Sequence, residues 1–340
     1  MAFADIPVST QTYTVRSNIR YIDLQRFYEE LVPMDPPGGV NRGAHEEAAI
    51  ICIKYQQHKK GCDPVKDLKT KRKRTTLKDS SKRNFLNCIT LIIQIEKRIN
   101  IKIFKNGVFQ LTGCKNIDNV RRCLKLILSE LSRANERVLS QRVLSQPISD
   151  AEQPATQGSS VCFHLEEGFD GFVIYAKSAM RNIDFGLGFK VDRALLANML
   201  TYIYKDDDSV IIPDAIGNKM DVKIKLRITR EELEHLPVTK ITNPTHNEPI
   251  EEEILYKKCL HIIEHDTKKI ESKMRDKFVS FSIFQNGKVL LSAMDETIQK
   301  KYYEWFINLI SEIKEAIKQT VLPKKTFLVG KSRPKIKFVI

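Results

Sequence analysis

The stretch Ile101–Gly113, IKIFKNGVFQLTG, places Asn-Gly between two short runs rich in β-branched and aromatic residues. Asn-Gly in such a setting is the strongest short-range signal for a β-hairpin, because both residues tolerate the positive φ angles of a type I′ turn. The stretch Phe281–Ala293, FSIFQNGKVLLSA, repeats the arrangement 180 residues later. Both copies read Ile-Phe-x-Asn-Gly, followed by a leucine and a small hydroxyl residue. The sequence therefore predicts the same hairpin in two places.

The elements around the two hairpins are predicted in the same order in both halves of the chain. Asp23 and Asp192 precede segments with apolar residues at helical spacing and are typical helix N-caps. The predicted elements are strand 9–21, helix 24–31, strands 48–55 and 87–95, the first hairpin and a helix from 119, then strand 173–189, helix 193–204, strands 209–213 and 221–228, the second hairpin and a helix over 296–317. This order indicates an internal duplication, with sequence identity concentrated at the hairpins.

The composition changes along the chain and predicts its division. Pro, Gln, Ser and Gly are concentrated near residue 150, which is typical of a linker. We assign residues 9–134 to the first repeat, with a basic loop at 58–83; 135–160 to the linker; 161–320 to the second repeat, with an acidic insertion at 230–275; and 321–340 to a basic C-terminal tail.

The formal net charge of +14 is concentrated in two of these segments. The loop at 58–83 has 11 Lys or Arg and 3 Asp, and the tail at 321–340 has 6 Lys or Arg and no acid. Clustered Lys and Arg favour a polyanionic partner, because phosphate contacts release counterions. The candidate phosphate contacts are Lys71, Arg72, Lys73 and Arg74. A solvated loop that aids solubility and a nuclear-import signal are the alternatives.

The sequence has no feature typical of a secreted or membrane protein. No apolar run reaches the roughly 18 to 20 residues that span a bilayer, and the N-terminus MAFADIPVSTQ lacks the pattern of a signal peptide. We therefore expect an intracellular protein with no membrane partner. The seven cysteines include no CxxC pair. Those predicted to be buried free thiols rather than disulfide partners are Cys52, Cys88, Cys123 and Cys162.

The two hairpins resemble an element of the TATA-box-binding protein family. INIKIFKNGVFQLTGCKN and FSIFQNGKVLLSAMD are similar to that family's Ile-Phe-x-x-Gly-Lys turn and its Thr-Gly-Ala-Lys signature, and RNIDFGLGFKVDRALL, 181–196, resembles the Gln-Asn-Ile opening of its second repeat. The resemblance covers about 10–134 and 172–318. The insertions and the basic tail are similar to the divergent forms that large DNA viruses encode. The resemblance implies an α+β fold, in which two pseudo-symmetric repeats form a curved antiparallel β-sheet saddle with helices on the convex face.

That family bends duplex DNA through the minor groove, using aromatic wedges at both ends and polar residues near the centre that read A·T acceptors. The resemblance thus implies a transcription initiation factor that grips and bends double-stranded A/T-rich promoter DNA and recruits a factor IIB-like protein and RNA polymerase. The alternative is the same fold as a scaffold for transcription proteins, with little sequence-specific DNA affinity. The implied locations are the host nucleus, a cytoplasmic viral factory or the virion.

The resemblance also assigns roles to individual residues by their position. Phe104 and Phe284 match the wedge phenylalanines, and Asn182 matches the central asparagine that donates to base acceptors. Thr112 and Ser292 match the hydroxyl residues of the groove-facing strand. The alternative for each is an ordinary strand or turn residue that packs or is solvated.

Some positions depart from the family pattern. Phe85 is the candidate for the second wedge of the first repeat, and Met220 stands nearest to the corresponding position in the second. The segment Thr12–Thr14 offers threonine where the family has asparagine, and Asp184 places an acid on or beside a DNA-facing strand. We therefore expect the two ends to grip DNA unequally.

One enzyme motif occurs in the insertion. HIIEH, His261–His265, fits His-x-x-Glu-His, which on a helix would place both histidines on one face with Glu264 as the base for a zinc-bound water. No third ligand is fixed by spacing, and the sequence contains no GxGxxG, P-loop or GxSxG. We expect a protein that is not an enzyme and that needs no cofactor or metal.

Overall fold

The computed structural model of this chain describes residues 2–34, 48–62, 87–145, 161–213, 220–264 and 266–319. The strands are β1 (Val8–Ser17), β2 (Ile19–Ile22), β3 (Ala49–Tyr55), β4 (His58–Gly61), β5 (Cys88–Gln94), β6 (Arg98–Phe104), β7 (Val108–Cys114), β8 (Phe163–Leu165), β9 (Val173–Gly186), β10 (Val210–Ile211), β11 (Asp221–Arg227), β12 (Pro237–Thr242), β13 (Ile250–Leu255), β14 (Phe278–Phe284) and β15 (Lys288–Ala293). The helices are α1 (Leu24–Glu30), α2 (Ile117–Ser145), α3 (Arg193–Ile203), α4 (Arg230–Glu234), α5 (Tyr256–Ile263), α6 (Thr267–Lys273) and α7 (Glu296–Ile317). This composition confirms the α+β class.

Thirteen of the described strands form one antiparallel sheet, with β1 and β9 paired at its centre. On one side of this pair the order is β7, β6, β5, β3 and β4, and on the other side it is β15, β14, β11 and β10. Each central strand therefore lies beside the second strand of the hairpin that follows it in the sequence. The strands β2 and β8 form a separate two-stranded sheet.

The cross-strand partners occupy matching positions on the two sides of the central pair. Thr112 lies between Thr12 and Asn100, whereas Ser292 lies between Asn182 and Ser280. Register is fixed by side-chain alternation, because a shift of one residue would move every side chain to the other face. The predicted hairpins are thus confirmed, and both deliver the same positions to the sheet.

The prediction of a type I′ turn is wrong at both hairpins. Gly107 and Gly287 have positive φ angles of 69° and 82°, but the preceding asparagines do not. The amide of each glycine donates to the carbonyl oxygen of the phenylalanine three residues before it, at 3.1 Å in the first hairpin and 2.9 Å in the second. This pattern is typical of a longer loop whose turn is followed by a left-handed glycine. Asparagine is therefore tolerated there rather than required for its φ.

The sheet has an apolar face, on which the main helices pack. The fully buried strand residues on this face include Ile99, Ile101, Ile103, Phe109, Leu111, Phe281, Ile283 and Leu291. They pack with the apolar residues of α2 in the first half and of α7 in the second. Alternation sends Thr12, Thr112, Asn182 and Ser292 to the opposite side, which we call the polar face.

The predicted helix N-caps and buried cysteines agree with the structure. The carboxylate of Asp23 accepts from the amide of Arg26 at 3.1 Å, and that of Asp192 accepts from the amide of Leu195 at 3.0 Å. Both predicted N-caps are therefore confirmed. The four cysteines predicted as buried free thiols are also confirmed. Within the described residues, no helix combines the length and apolarity that crossing a membrane requires.

Two predicted segments differ from the structure. The strand predicted at 9–21 is divided at Asn18, because the side chain of this residue donates to the carbonyl oxygen of Gly171 and accepts from the amide of Val173. The predicted linker begins too early, since α2 continues to Ser145. The tandem RVLSQRVLSQ lacks Gly and Pro and supports a helix up to the approach of Pro147. Residues 146–160 lie outside the described ranges.

Candidate nucleic-acid interface

Phe104 and Phe284 both lie on the polar face, at the hairpin ends of β6 and β14. Phe104 stands directly opposite Cys88, and Phe284 stands directly opposite Asp221. Their side chains are half-buried, in contrast to Ile103 and Ile283, which are fully buried on the apolar face. The phenylalanines therefore do not belong to the cores beneath the helices. The site that sequence reasoning placed at both hairpins is brought onto one face of the sheet.

The surroundings of the two phenylalanines differ. Phe104 lines an open cavity together with Arg20, Tyr21 and Lys105, and the Lys105 ammonium lies 4.8 Å from the centroid of the Tyr21 ring. Beside Phe284, the acid Asp221 takes the cross-strand position instead. Both ends nevertheless carry charges of both signs, because Asp23 also lines the cavity at the first hairpin and Asp221 pairs with Lys223 at 3.9 Å at the second.

Two polar atoms near the middle of the polar face are buried without a hydrogen-bond partner among the described residues: Oγ1 of Thr12 and Oδ1 of Asn182. Thr12 is 5% exposed. The two residues occupy corresponding positions, since Thr12 lies opposite Thr112 and Asn182 lies opposite Ser292. A buried polar atom without a partner is costly, and in a native protein it calls for a specific explanation. A bound ligand that offers hydrogen-bonding groups would supply one.

The strand β11 was predicted at 221–228, but its cationic side on the polar face was not. Lys223, Lys225 and Arg227 of β11 are exposed, while Val222, Ile224 and Leu226 are buried. Arg227 is held by an ion pair with Asp276 at 2.9 Å. The signal was present as the strict alternation of DVKIKLR, which predicts three cations on one side of a strand. On the neighbouring strand β14, the three cations lie opposite Ser282, Ser280 and Phe278, respectively.

The first half places its cations differently. Lys54 of β3 and Lys102 of β6 both lie opposite Thr90 of β5, on the polar face. Lys60, within the predicted basic loop, instead donates to the carbonyl oxygens of Tyr28, Glu29 and Leu31. It therefore stabilises the C-terminal end of α1. The candidates Lys71, Arg72, Lys73, Arg74 and Phe85, together with the tail at 321–340, lie outside the described residues.

The departures from the family pattern are visible on the polar face. Asp184 is exposed and lies opposite Leu290, two residues from Asn182 on the same strand. Met220 is 80% exposed and directly precedes Asp221, the partner of Phe284. The second half thus combines an exposed apolar side chain with an exposed acid.

The insertion contributes to the sheet and crosses onto the polar face. β12 pairs with the first residues of β9, and β13 pairs with β12. The Lys177 side chain of β9 lies opposite Thr14 and places its ammonium 4.5 Å from the centroid of the Tyr256 ring of α5. Burial of the ammonium lowers the pKa of Lys177 to about 8, and the charge of Lys277 acts in the same direction. Helix α5 therefore stands over part of the polar face.

Glutamates of the insertion form several ion pairs within the chain. Glu251 accepts two hydrogen bonds from Arg121 of α2, both at 2.6 Å, and Glu232 pairs with Lys301 of α7 at 2.6 Å. The hydrogen bond from Lys301, with the other hydrogen bonds that Glu232 accepts, outweighs burial and lowers the pKa of Glu232. These contacts attach the insertion to helices of both halves.

The described part of the HIIEH segment, His261–Glu264, is not helical throughout. α5 ends at Ile263, and Glu264 has an extended backbone with φ of −138°. Glu264 instead forms an ion pair with Lys273 at 2.9 Å, and that hydrogen bond lowers the pKa of its carboxyl group. His265 lies outside the described residues, and the described ranges bring no three metal-ligating side chains together.

Comparison with known proteins gives two viral relatives. The chain is 22% identical over 323 residues to "Uncharacterized protein 335L" of Invertebrate iridescent virus 6, covering 92% of this chain and 85% of that protein. It is 29% identical over 166 residues to the "TATA-box-binding protein-like" protein of Acanthamoeba polyphaga mimivirus, covering 46% of this chain and 38% of that protein. No family model matches the chain.

Among solved structures, the TBP of Methanococcus jannaschii aligns with 90% of this chain and 98% of its own length, with a TM-score of 0.38 and 12% identity. The similarity in sequence to a TATA-box-binding-protein-like protein is the similarity to the mimivirus relative. The resemblance indicated by the two hairpins is therefore confirmed, and this chain is similar over 46% of its length to the TATA-box-binding protein-like protein of Acanthamoeba polyphaga mimivirus.

Proposed function

We propose that this protein is a DNA-binding transcription initiation factor that grips and bends A/T-rich duplex through the minor groove. In this proposal the halves around β1 and β9 are two pseudo-symmetric repeats, and the polar face is the concave side of a saddle. Phe104 and Phe284 enter base steps at its two ends. Binding, rather than catalysis, is its activity.

The observation that carries the proposal is the combination of two phenylalanines and two unsatisfied polar atoms on one face. Phe104 and Phe284 share this face with Oγ1 of Thr12 and Oδ1 of Asn182, which have no partner among the described residues. The minor groove offers acceptors on every base pair, to which the Thr12 hydroxyl and Nδ2 of Asn182 can donate, whereas Oδ1 of Asn182 can only accept. Apolar side chains inserted between base steps kink the duplex toward the major groove.

The charges of the polar face support a polyanionic partner. Lys223 and Lys225 line one edge, and Lys54 and Lys102 lie on the other side of the central strands. Their side chains would contact phosphates and hold the duplex in register, without reading its sequence. The basic loop and the tail would extend this contact. Asp184 opposes it locally, so the proposal includes a weaker grip by the second repeat.

The second candidate is a scaffold that binds a factor IIB-like protein and RNA polymerase with little DNA affinity. The exposed stripe of Leu195, Tyr202 and Ile203 on α3 favours a protein contact there. A protein contact at α3 is also compatible with DNA binding, because α3 packs on the helix-covered side. We propose that recruitment uses this side, in the host nucleus, a viral factory or the virion.

The test is an electrophoretic mobility shift with A/T-rich and G/C-rich duplexes of equal length. We expect preference for the A/T-rich duplex and a loss of affinity of about tenfold or more in the double variant Phe104→Ala with Phe284→Ala, because each unstacking wedge is removed. Phe169→Ala is the matched control, since Phe169 is exposed outside the sheet. Equal, weak binding to both duplexes that the double variant leaves unchanged would contradict the minor-groove proposal.

A further inference from the structure

Helix α5 lies over Lys177, which belongs to a row of cross-strand partners on the polar face. Lys102 lies opposite Gln110, Gln110 opposite Thr14, and Thr14 opposite Lys177. These four residues form one row across β6, β7, β1 and β9, adjacent to the row that contains Thr112 and Thr12. Because paired strands are about 5 Å apart, Lys177 is as close to Thr14 as Gln110 is on the other side.

The contact between α5 and this row is made by the Tyr256 ring, whose centroid lies 4.5 Å from the Lys177 ammonium. Tyr256, Cys259 and Leu260 of α5 are buried. Tyr256 and Cys259 belong to the same buried cluster as Tyr175 of β9, which lies opposite Arg16. A helix with its side chains is about 10 Å across. A duplex therefore cannot contact the row at Lys177 while α5 occupies it.

We propose that α5 is a displaceable cover of the polar face, which competes with duplex DNA for the central strands and must lift before DNA engages fully. This inference rests on the proposed function and adds its regulation. The competition is intramolecular, because α5 belongs to the same chain and is tethered on one side by β13 and on the other by α6.

Helix α5 is short and lacks a side-chain N-cap, which makes it easy to displace. The helix has only eight residues, and its N-cap position, Leu255, provides no side-chain hydrogen bond. A helix of this length depends on packing rather than on its own stability. Its C-terminal end is held by the ion pair of Glu264 with Lys273, a contact that salt screens.

The buried Lys177 ammonium favours the displacement of α5 by DNA. Burial over the Tyr256 ring disfavours the charged form of Lys177, as its lowered pKa indicates. Lifting α5 would release this ammonium to water or to a phosphate. Lifting α5 exposes its buried residues Tyr256, Cys259 and Leu260 to water. A contact of Lys177 with a polyanion would partly offset this cost in free energy.

The test uses the full chain and measures duplex affinity by fluorescence anisotropy, together with hydrogen exchange of the α5 amides and alkylation of native Cys259. The variants are Leu260→Ala, which removes a buried anchor of α5, and Glu264→Gln, which removes its terminal ion pair. Glu253→Gln is the control, because it changes the charge equally on an exposed strand residue. If α5 covers the face most of the time, loosening it raises apparent affinity by up to about tenfold.

We expect tighter binding by both variants but not by the control, and loss of α5 protection with faster Cys259 alkylation when duplex is added to the unmodified protein. Unchanged affinity in both variants, with α5 and Cys259 still protected in the DNA-bound protein, would overturn the cover while leaving the proposed function standing. Failure of every variant to bind duplex, although exchange shows α5 to be open, would overturn the proposed function and the cover with it.

Discussion

Asn182 and Ser292 lie directly opposite each other on β9 and β15, so their side chains share the polar face of the sheet. Thr12 and Thr112 have the same relationship in the first half, on β1 and β7. Only the second half offers an amide at the central position. In the proposed DNA complex this difference would make the two halves unequal, because an asparagine can donate to a base acceptor through Nδ2 while its oxygen accepts.

Thr12→Val and Asn182→Ala should separate DNA binding from stability. Oγ1 of Thr12 and Oδ1 of Asn182 are buried without a partner among the described residues. Their removal should leave the free energy of unfolding within about 1 kcal/mol of its original value, since no hydrogen bond is lost. Duplex affinity should fall by about tenfold in each case. Urea unfolding and anisotropy measure the two effects, with Thr201→Val on α3 as the control. A large loss of stability would show that both side chains are structural.

Lys223→Gln with Lys225→Gln tests the cationic side of β11. Both lysines are exposed on the polar face. Removing two phosphate contacts should reduce the slope of log affinity against log salt by about 1 to 2. The loss should be similar for A/T-rich and G/C-rich duplexes, because phosphates carry no base identity. Lys205→Gln with Lys300→Gln, on the helix-covered side, gives a control of equal charge. An unchanged slope in the β11 variant would exclude this strand from the interface.

Gly107→Ala and Gly287→Ala should destabilise the protein by about 1 to 3 kcal/mol each. Both glycines have positive φ, and a Cβ atom would lie 2.2 Å from the carbonyl oxygen of Ile19 in the first case and 2.0 Å from that of Phe189 in the second. Gly186→Ala is the matched control, since a Cβ atom there meets nothing within 4 Å. Urea unfolding at constant m-value measures the change. Equal midpoints for all three variants would contradict the proposed backbone requirement.

Gln299→Ala should cost about 2 to 4 kcal/mol of stability, because it leaves buried partners unsatisfied. Gln299 is fully buried on α7 and donates to the carbonyl oxygens of Arg181 and Leu291 at 2.9 Å and 3.1 Å. Its own side-chain oxygen accepts from the Arg181 guanidinium. Lys300→Ala, at the exposed neighbouring position, should change the free energy of unfolding by less than about 0.5 kcal/mol. A small loss in Gln299→Ala would mean that water replaces the amide.

Alkylation of the cysteines near pH 8 tests how deeply each thiol is buried. Burial raises the pKa of Cys114 to about 12 and the pKa of Cys162 to about 11. A raised pKa lowers the thiolate fraction near pH 8, and the thiolate is the form that alkylating reagents attack. In the native protein, iodoacetamide should therefore label half-buried Cys62 first. Mass spectrometry of peptides reports the order, and labelling in urea shows that all cysteines are reactive once exposed. Fast native labelling of Cys114 would contradict its burial.

The hairpins could be predicted from the sequence because their signals are local. Asn-Gly between alternating residues, with a phenylalanine before it, identifies both turns even though the turn type was wrong. The N-caps Asp23 and Asp192 were also predicted, since one side chain and one amide decide them. The alternation of DVKIKLR also places three cations on one side of a predicted strand, a pattern that is less apparent than a consecutive run of charges.

The sequence by itself determined the two hairpins, the capped helices and the apolar stripes of α2 and α7, because each depends on residues within a few positions of one another. Only the tertiary structure decided that β1 pairs with β9, that Lys60 stabilises the end of α1 and that α5 covers Lys177. Val8–Ser17 and Val173–Gly186 are far apart in the chain, and no local pattern specifies which strand edges meet. The sequence predicted only that the insertion is acidic, and the structure decided that Glu251 and Glu232 form ion pairs with Arg121 and Lys301. Such contacts are set by packing between distant segments, and packing is the term that a local reading of sequence does not contain.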